Sequence, residues 1–177
     1  MVKANEFIKE VYETIKEDIK GYDVYIKGEN GVSNIVIFDE PDLVEGEKSR
    51  YRIAHSNIMI FNEDNPILAI ETIPKESAPP RDIVGPIPLY MIARKVVINK
   101  KNKKNLEFNL DNNDSKFTLL VVVPDQREGR YKNLQILDLN EKFKGVLNLK
   151  SEYSNLKDFE ICEFSNIKPV LSKLIID

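Results

Sequence analysis

The chain has 177 residues, 42% of them hydrophobic and 31% charged, with a formal net charge of -3. That length suits a single domain spanning residues 1–177, and the balance of apolar and charged residues argues against disorder and fibrous repeats. A nearly neutral chain is no polycation, so any surface for an acidic partner must be local.

The first predicted element is a helix over residues 3–20, where Phe7, Val11, Ile15 and Ile19 recur every four positions and Gly21 supplies a stop. Its charge and amphipathicity differ from a signal peptide, and no apolar run is long enough for a transmembrane helix, so the expected address is cytoplasmic, with no membrane partner. Strands are expected over 22–27 and 33–38, joined as a hairpin through Gly28-Glu29-Asn30-Gly31. An acidic loop covers 39–50. A second hairpin pairs 57–61 with 67–73 around Asn62-Glu63-Asp64-Asn65. Five prolines between Pro74 and Pro88 make a stiff connector. A helix over 89–98 follows, then a Lys/Asn-rich loop in which Leu106, Phe108 and Leu110 alternate as an edge strand. The unbroken run Phe117–Val123 predicts a strand buried on both faces. Short strands over 134–139 and 159–164 and a closing helix over 167–176, with Pro169 in its first turn, complete the order. An antiparallel meander, a crossover helix and a doubly buried strand together predict an α/β fold, a mixed central β-sheet flanked by helices.

Glu71 is the residue that this pattern singles out. Alternation in Ile67–Ile73 puts it on one face with Ile67, Ala69 and Ile73, where a carboxylate needs a partner or a metal. A turn centred on residues 63–64 places Asn57 across from Ile70 or Glu71, so two polar groups meet at one end of the hairpin. His55, the single histidine, is expected on the same strand face as Asn57, as a candidate general base or as a strand-end histidine bonded to backbone. The single Cys162 lies in the apolar run FEICEF and is expected in the core.

With Asn57 opening HSNIMIF and Glu71 near the close of ILAIETI, residues 3–124 resemble the PD-(D/E)xK nuclease superfamily, the restriction-endonuclease-like fold. The resemblance implies a metal-dependent nuclease acting on DNA, with Mg²⁺ or Mn²⁺ held by Glu71, Glu10 and Asn57. Family members of this size often work as homodimers. Here Asn57 stands where the family carries an Asp, and Ile73 where it carries a Lys; Lys75 then becomes the candidate for orienting the attacking water. Arg127, Arg130 and Lys132, in the charged loop after the buried strand, are the candidate nucleic-acid contacts. The alternative is a catalytically inactive domain that binds nucleic acid or protein, favoured by Asn57 and Ile73. Metal titration separates the two.

Overall fold

The computed structural model describes residues 4–43, 48–75, 78–110, 116–125, 133–147, 149 and 154–176. Its described elements form an α/β fold with two sheets. The first sheet runs β1 (Asp23–Ile26), β4 (Ile58–Asn62), β5 (Asn65–Thr72), β8 (Phe117–Val123) and β9 (Leu156–Glu163) in that spatial order. β1, β4 and β5 pair antiparallel, whereas β5, β8 and β9 are parallel. The second sheet is wholly antiparallel, in the order β3 (Arg52–Ser56), β2 (Val32–Phe38), β6 (Lys95–Lys100), β7 (Leu106–Asn109).

Two cores follow from strand alternation. One face of the first sheet, with Ile58, Ile60, Leu68, Ile70, Leu120 and Val122, is covered by helix α1 (Ala4–Ile15) and the C-terminal helix, Ile167–Ile176. The opposite face, with Met59, Phe61, Ala69, Leu119 and Val121, packs against Ile35, Ile37, Val96 and Ile98 of the second sheet. The short helices α3 (Pro80–Val84) and α4 (Pro86–Met91) close that inner core with Ile83, Ile87 and Tyr90. β8 contributes to both layers, and all seven of its residues are buried, which is why it reads as an uninterrupted apolar run.

Several expectations need correction. The first helix ends at Ile15, and residues 16–21 continue as turns that tighten to the Asp18 N–H to Ile15 carbonyl bond of 2.9 Å, still burying Ile19. Asn30 and Gly31 do make a tight turn, at φ 49° and 79°, but the strands on either side enter different sheets. Turn chemistry fixes the reversal and not the pairing: β1 is the edge strand beside β4, while β2 lies between β3 and β6. In the acidic loop a single helical turn, α2 (Lys48–Tyr51), leads into β3, a strand with no counterpart among the expected elements. The helix expected over 89–98 stops at Met91; Lys95–Lys100 is a strand, in keeping with its β-branched Val96-Val97-Ile98. β5 therefore reaches β8 through two short helices and a pair of strands, and not through one crossover helix.

The last correction concerns 134–139, which lies inside a 14-residue helix, α5 (Asn133–Val146). Ile136, Asn140 and Phe143 recur at helical spacing. Asn140 does what a neighbouring strand would do for β9: its Nδ2 donates to the Ile161 carbonyl at 2.8 Å, and its Oδ1 accepts the Ile161 N–H at 2.8 Å. The side chain thus occupies two backbone groups on an otherwise open sheet edge. Asn140→Leu, which keeps the volume and removes both partners, should cost about 1–3 kcal/mol in a denaturant titration. An unchanged midpoint would mean that water replaces the amide at no cost.

Candidate functional site

The chain changes sheets at Asn57, between β3 and β4. Ile58 faces Ile70 and Ile60 faces Leu68, so Asn57 and Glu71 do share one end of the hairpin, as the sequence arithmetic places them. Their side chains then diverge. The Asn57 Oδ1 accepts the Thr72 N–H at 2.7 Å and the Thr72 hydroxyl at 3.0 Å, while its backbone carbonyl accepts the Lys27 N–H at 2.9 Å. Asn57 therefore ties the end of β1 to the ends of β4 and β5 at the point where backbone pairing runs out.

Glu71 points the other way, into the core between the sheets, and is 9% exposed. Ile67, expected on the same face, packs instead with the α1 core. The Tyr90 hydroxyl, from α4, donates to Glu71 Oε1. Tyr90 is itself fully buried, and nearby on β3 the Ser56 hydroxyl donates to the Ile58 carbonyl at 3.0 Å. Burial drives the Glu71 carboxyl up from 4.5 to about 8, against the opposing pull of the Tyr90 hydrogen bond and the Lys27 charge. Burial first, and the Glu71 carboxyl second, hold the Tyr90 phenol well above its ordinary value. At neutral pH the unit is a neutral acid and a phenol, linked across β5 and α4.

The other expected site residues do not join it. Glu10 is exposed on α1, and α1 covers the face of the first sheet opposite to the one Glu71 enters. Lys75 is exposed in the segment after β5, beyond Pro74. Arg127, Arg130 and Lys132 lie outside the described residues. Mg²⁺ and Mn²⁺ take hard, charged oxygen donors. Glu71 here is neutral and engaged with Tyr90, the Asn57 oxygen already accepts two hydrogen bonds, and no three His, Cys, Asp or Glu side chains gather among the described residues. The donor set does not fit the metal that the sequence resemblance implies.

His55 sits on β3 of the second sheet and so does not share a strand with Asn57. Its Nδ1 lies 3.0 Å from Asn34 Oδ1, which also accepts the Ile35 N–H at 3.1 Å. An oxygen acceptor fixes Nδ1 as the protonated nitrogen and leaves the lone pair on Nε2. Burial, then the charges of Lys27 and Arg52, lower the pKa of His55 below its ordinary 6.5. Burial pushes the Cys162 thiol up to about 12, consistent with a core cysteine. Tyr90, the partner that defines the Glu71 unit, is not among the residues that the sequence pattern singles out. A tyrosine in the apolar stretch Ile87–Ala93 is the available signal, because a buried phenol needs a hydrogen-bond partner.

No protein-family model, no curated protein and no solved structure matches this chain. Fold and site define an α/β protein of two packed sheets with a buried, neutral carboxyl unit between them.

Proposed function

We propose that the protein is a restriction-endonuclease-like domain that binds DNA and does not hydrolyse it. The mixed first sheet, and the backbone register that puts Asn57 and Glu71 at one hairpin end, support the kinship. The state of Glu71 carries the loss of hydrolysis: a carboxyl closed onto Tyr90, and neutral up to about pH 8, offers a cation no charged oxygen. Exposed Lys101, Lys103 and Lys104 at the turn between β6 and β7 support electrostatic contact with a phosphate backbone.

The test is fluorescence anisotropy with a labelled DNA duplex across a salt series, run beside a cleavage assay with Mg²⁺ or Mn²⁺. Binding should weaken by about one log unit in affinity per log unit of salt for each phosphate neutralised. The duplex should stay intact with either metal. Metal-dependent cleavage that disappears in Glu71→Ala would overturn the reading, as would no binding at low salt.

A further inference from the structure

The outer face of the second sheet is turned away from the Glu71 unit, which lies in the core between the sheets. Across its middle, Val36 pairs with Val97 on one side and His55 on the other, and Asn34 pairs with Asn99. Helix α2 lies over one end, where Tyr51 and Leu43 pack on Val36, Phe38 and Val97. What remains is a depression of about 240 Å³ with a floor of Val36 and Val97 and a rim that includes Asn34, Lys48, Ser49, Arg52 and Asn105.

The chemistry of that rim is one-sided. Asn34 Oδ1 is taken by the Ile35 N–H and by His55, and Asn105 Oδ1 accepts the Lys100 N–H at 3.2 Å. With both oxygens committed to the sheet, each amide has its NH₂ group left to offer. Lys48 and Arg52 add further donors. Among the described residues no carboxylate pairs with Arg52, and the charges that act on neighbouring His55 are both positive, from Lys27 and Arg52. Among the described residues the carboxylate that pairs with this rim is Glu107, held by Lys95 at 3.1 Å and by Lys48 at 3.8 Å. A depression rich in donors and cations over an apolar floor fits a ligand that brings several acceptor oxygens and negative charge. A guanidinium and amide NH₂ groups match the acceptor geometry of a phosphoryl group.

We propose that this depression is a phosphate-binding site, taking a phosphoryl group either from a small phosphate ester or from a nucleic-acid backbone. The site goes beyond DNA binding as proposed above: it assigns the phosphate to the outer face of the second sheet, on the side turned away from Glu71 and with Asn105 of the β6–β7 turn on its rim, and it stands whether the source is small or polymeric.

His55 provides the readout, because it is the only histidine in the chain. Its imidazole signals can be titrated by NMR in the full-length protein with no addition, with inorganic phosphate, with adenosine monophosphate and with an oligonucleotide. His55 is bonded to Asn34 of the rim and pairs with Val36 of the floor, so a phosphoryl group bound there favours the imidazolium and should raise the His55 pKa by about one unit. In Lys48→Ala/Arg52→Ala the further rise on adding the probe should vanish; both residues are exposed, so the fold tolerates their loss. Lys101→Ala/Lys103→Ala should keep the response to the small phosphates. A response to the small probes identifies a phosphate-ester site, and a response to the oligonucleotide alone identifies the backbone as the source. No change in the His55 titration with any probe, or a change that survives in Lys48→Ala/Arg52→Ala, would overturn the proposal. DNA binding by anisotropy with His55 unmoved would refute this site while leaving the DNA reading intact; a phosphate response without DNA binding would do the reverse.

Discussion

Glu71→Gln should remove most of a pH-dependent loss of stability that the wild-type protein shows between about pH 4.5 and pH 8. The folded carboxyl titrates at about 8 and the ordinary value is 4.5. Below the lower value both folded and unfolded chains carry the proton, and the stability of the neutral pair is fully present. Between the two values the unfolded chain releases its proton and the folded chain keeps it, so stability falls as pH rises. Every pH unit crossed in that window costs about 1.4 kcal/mol, so the loss approaches about 4 kcal/mol near the upper value. Gln has nearly the same shape, accepts from the Tyr90 hydroxyl and does not titrate. Denaturant titrations of both proteins should therefore give similar stabilities at the acid end of this window and a clear advantage for Glu71→Gln at the alkaline end. Parallel pH profiles would show that Glu71 ionises normally in the folded protein.

Tyr90 should be the most sensitive position around that carboxyl. Tyr90→Phe keeps the ring against Phe117, at a centroid distance of 6.0 Å in the native protein, but leaves Glu71 Oε1 without its donor. An unsatisfied buried acceptor costs about 1–3 kcal/mol. Tyr90→Ala also empties a fully buried ring site, and aromatic truncations of that kind cost about 3–5 kcal/mol. The two changes are separable by titration. The Tyr90 bond lowers the Glu71 pKa, so Tyr90→Phe should push it higher still, and the pH-dependent loss should extend further into the alkaline range. A Tyr90→Phe protein with unchanged stability and an unchanged profile would mean that water or Ser56 replaces the phenol.

The contrast between β8 and α5 shows where local pattern is enough. Phe117–Val123 is buried on both faces, so its apolar run admits one reading. The hairpin of β4 and β5 is legible because its turn residues and its register agree: Asn62 pairs with Asn65, and Ile58 with Ile70. The closing helix, residues 167–176, also lies where its apolar spacing puts it. In α5, Leu134, Ile136 and Leu139 mimic a strand, and the decisive partner is Ile161, reached by Asn140 from across the fold. β6 is obscured because a proline connector and a short helix run straight into its β-branched residues. Glu71 stands out as an acid among apolar neighbours, and its buried setting justifies that attention. Its partner does not stand out, because Tyr90 reaches it from another element, after the two sheets pack.

Isotope-edited infrared spectroscopy of the carboxyl band, compared between wild type and Glu71→Gln across pH, tests the neutral state of Glu71 directly. The expected result is one protonated carboxyl that persists at neutral pH, disappears with a midpoint near 8, and is missing from Glu71→Gln. A spectrum with no protonated carboxyl at neutral pH, together with Mn²⁺ binding that is lost in Glu71→Ala, would contradict it and return Glu71 to the role of a metal ligand.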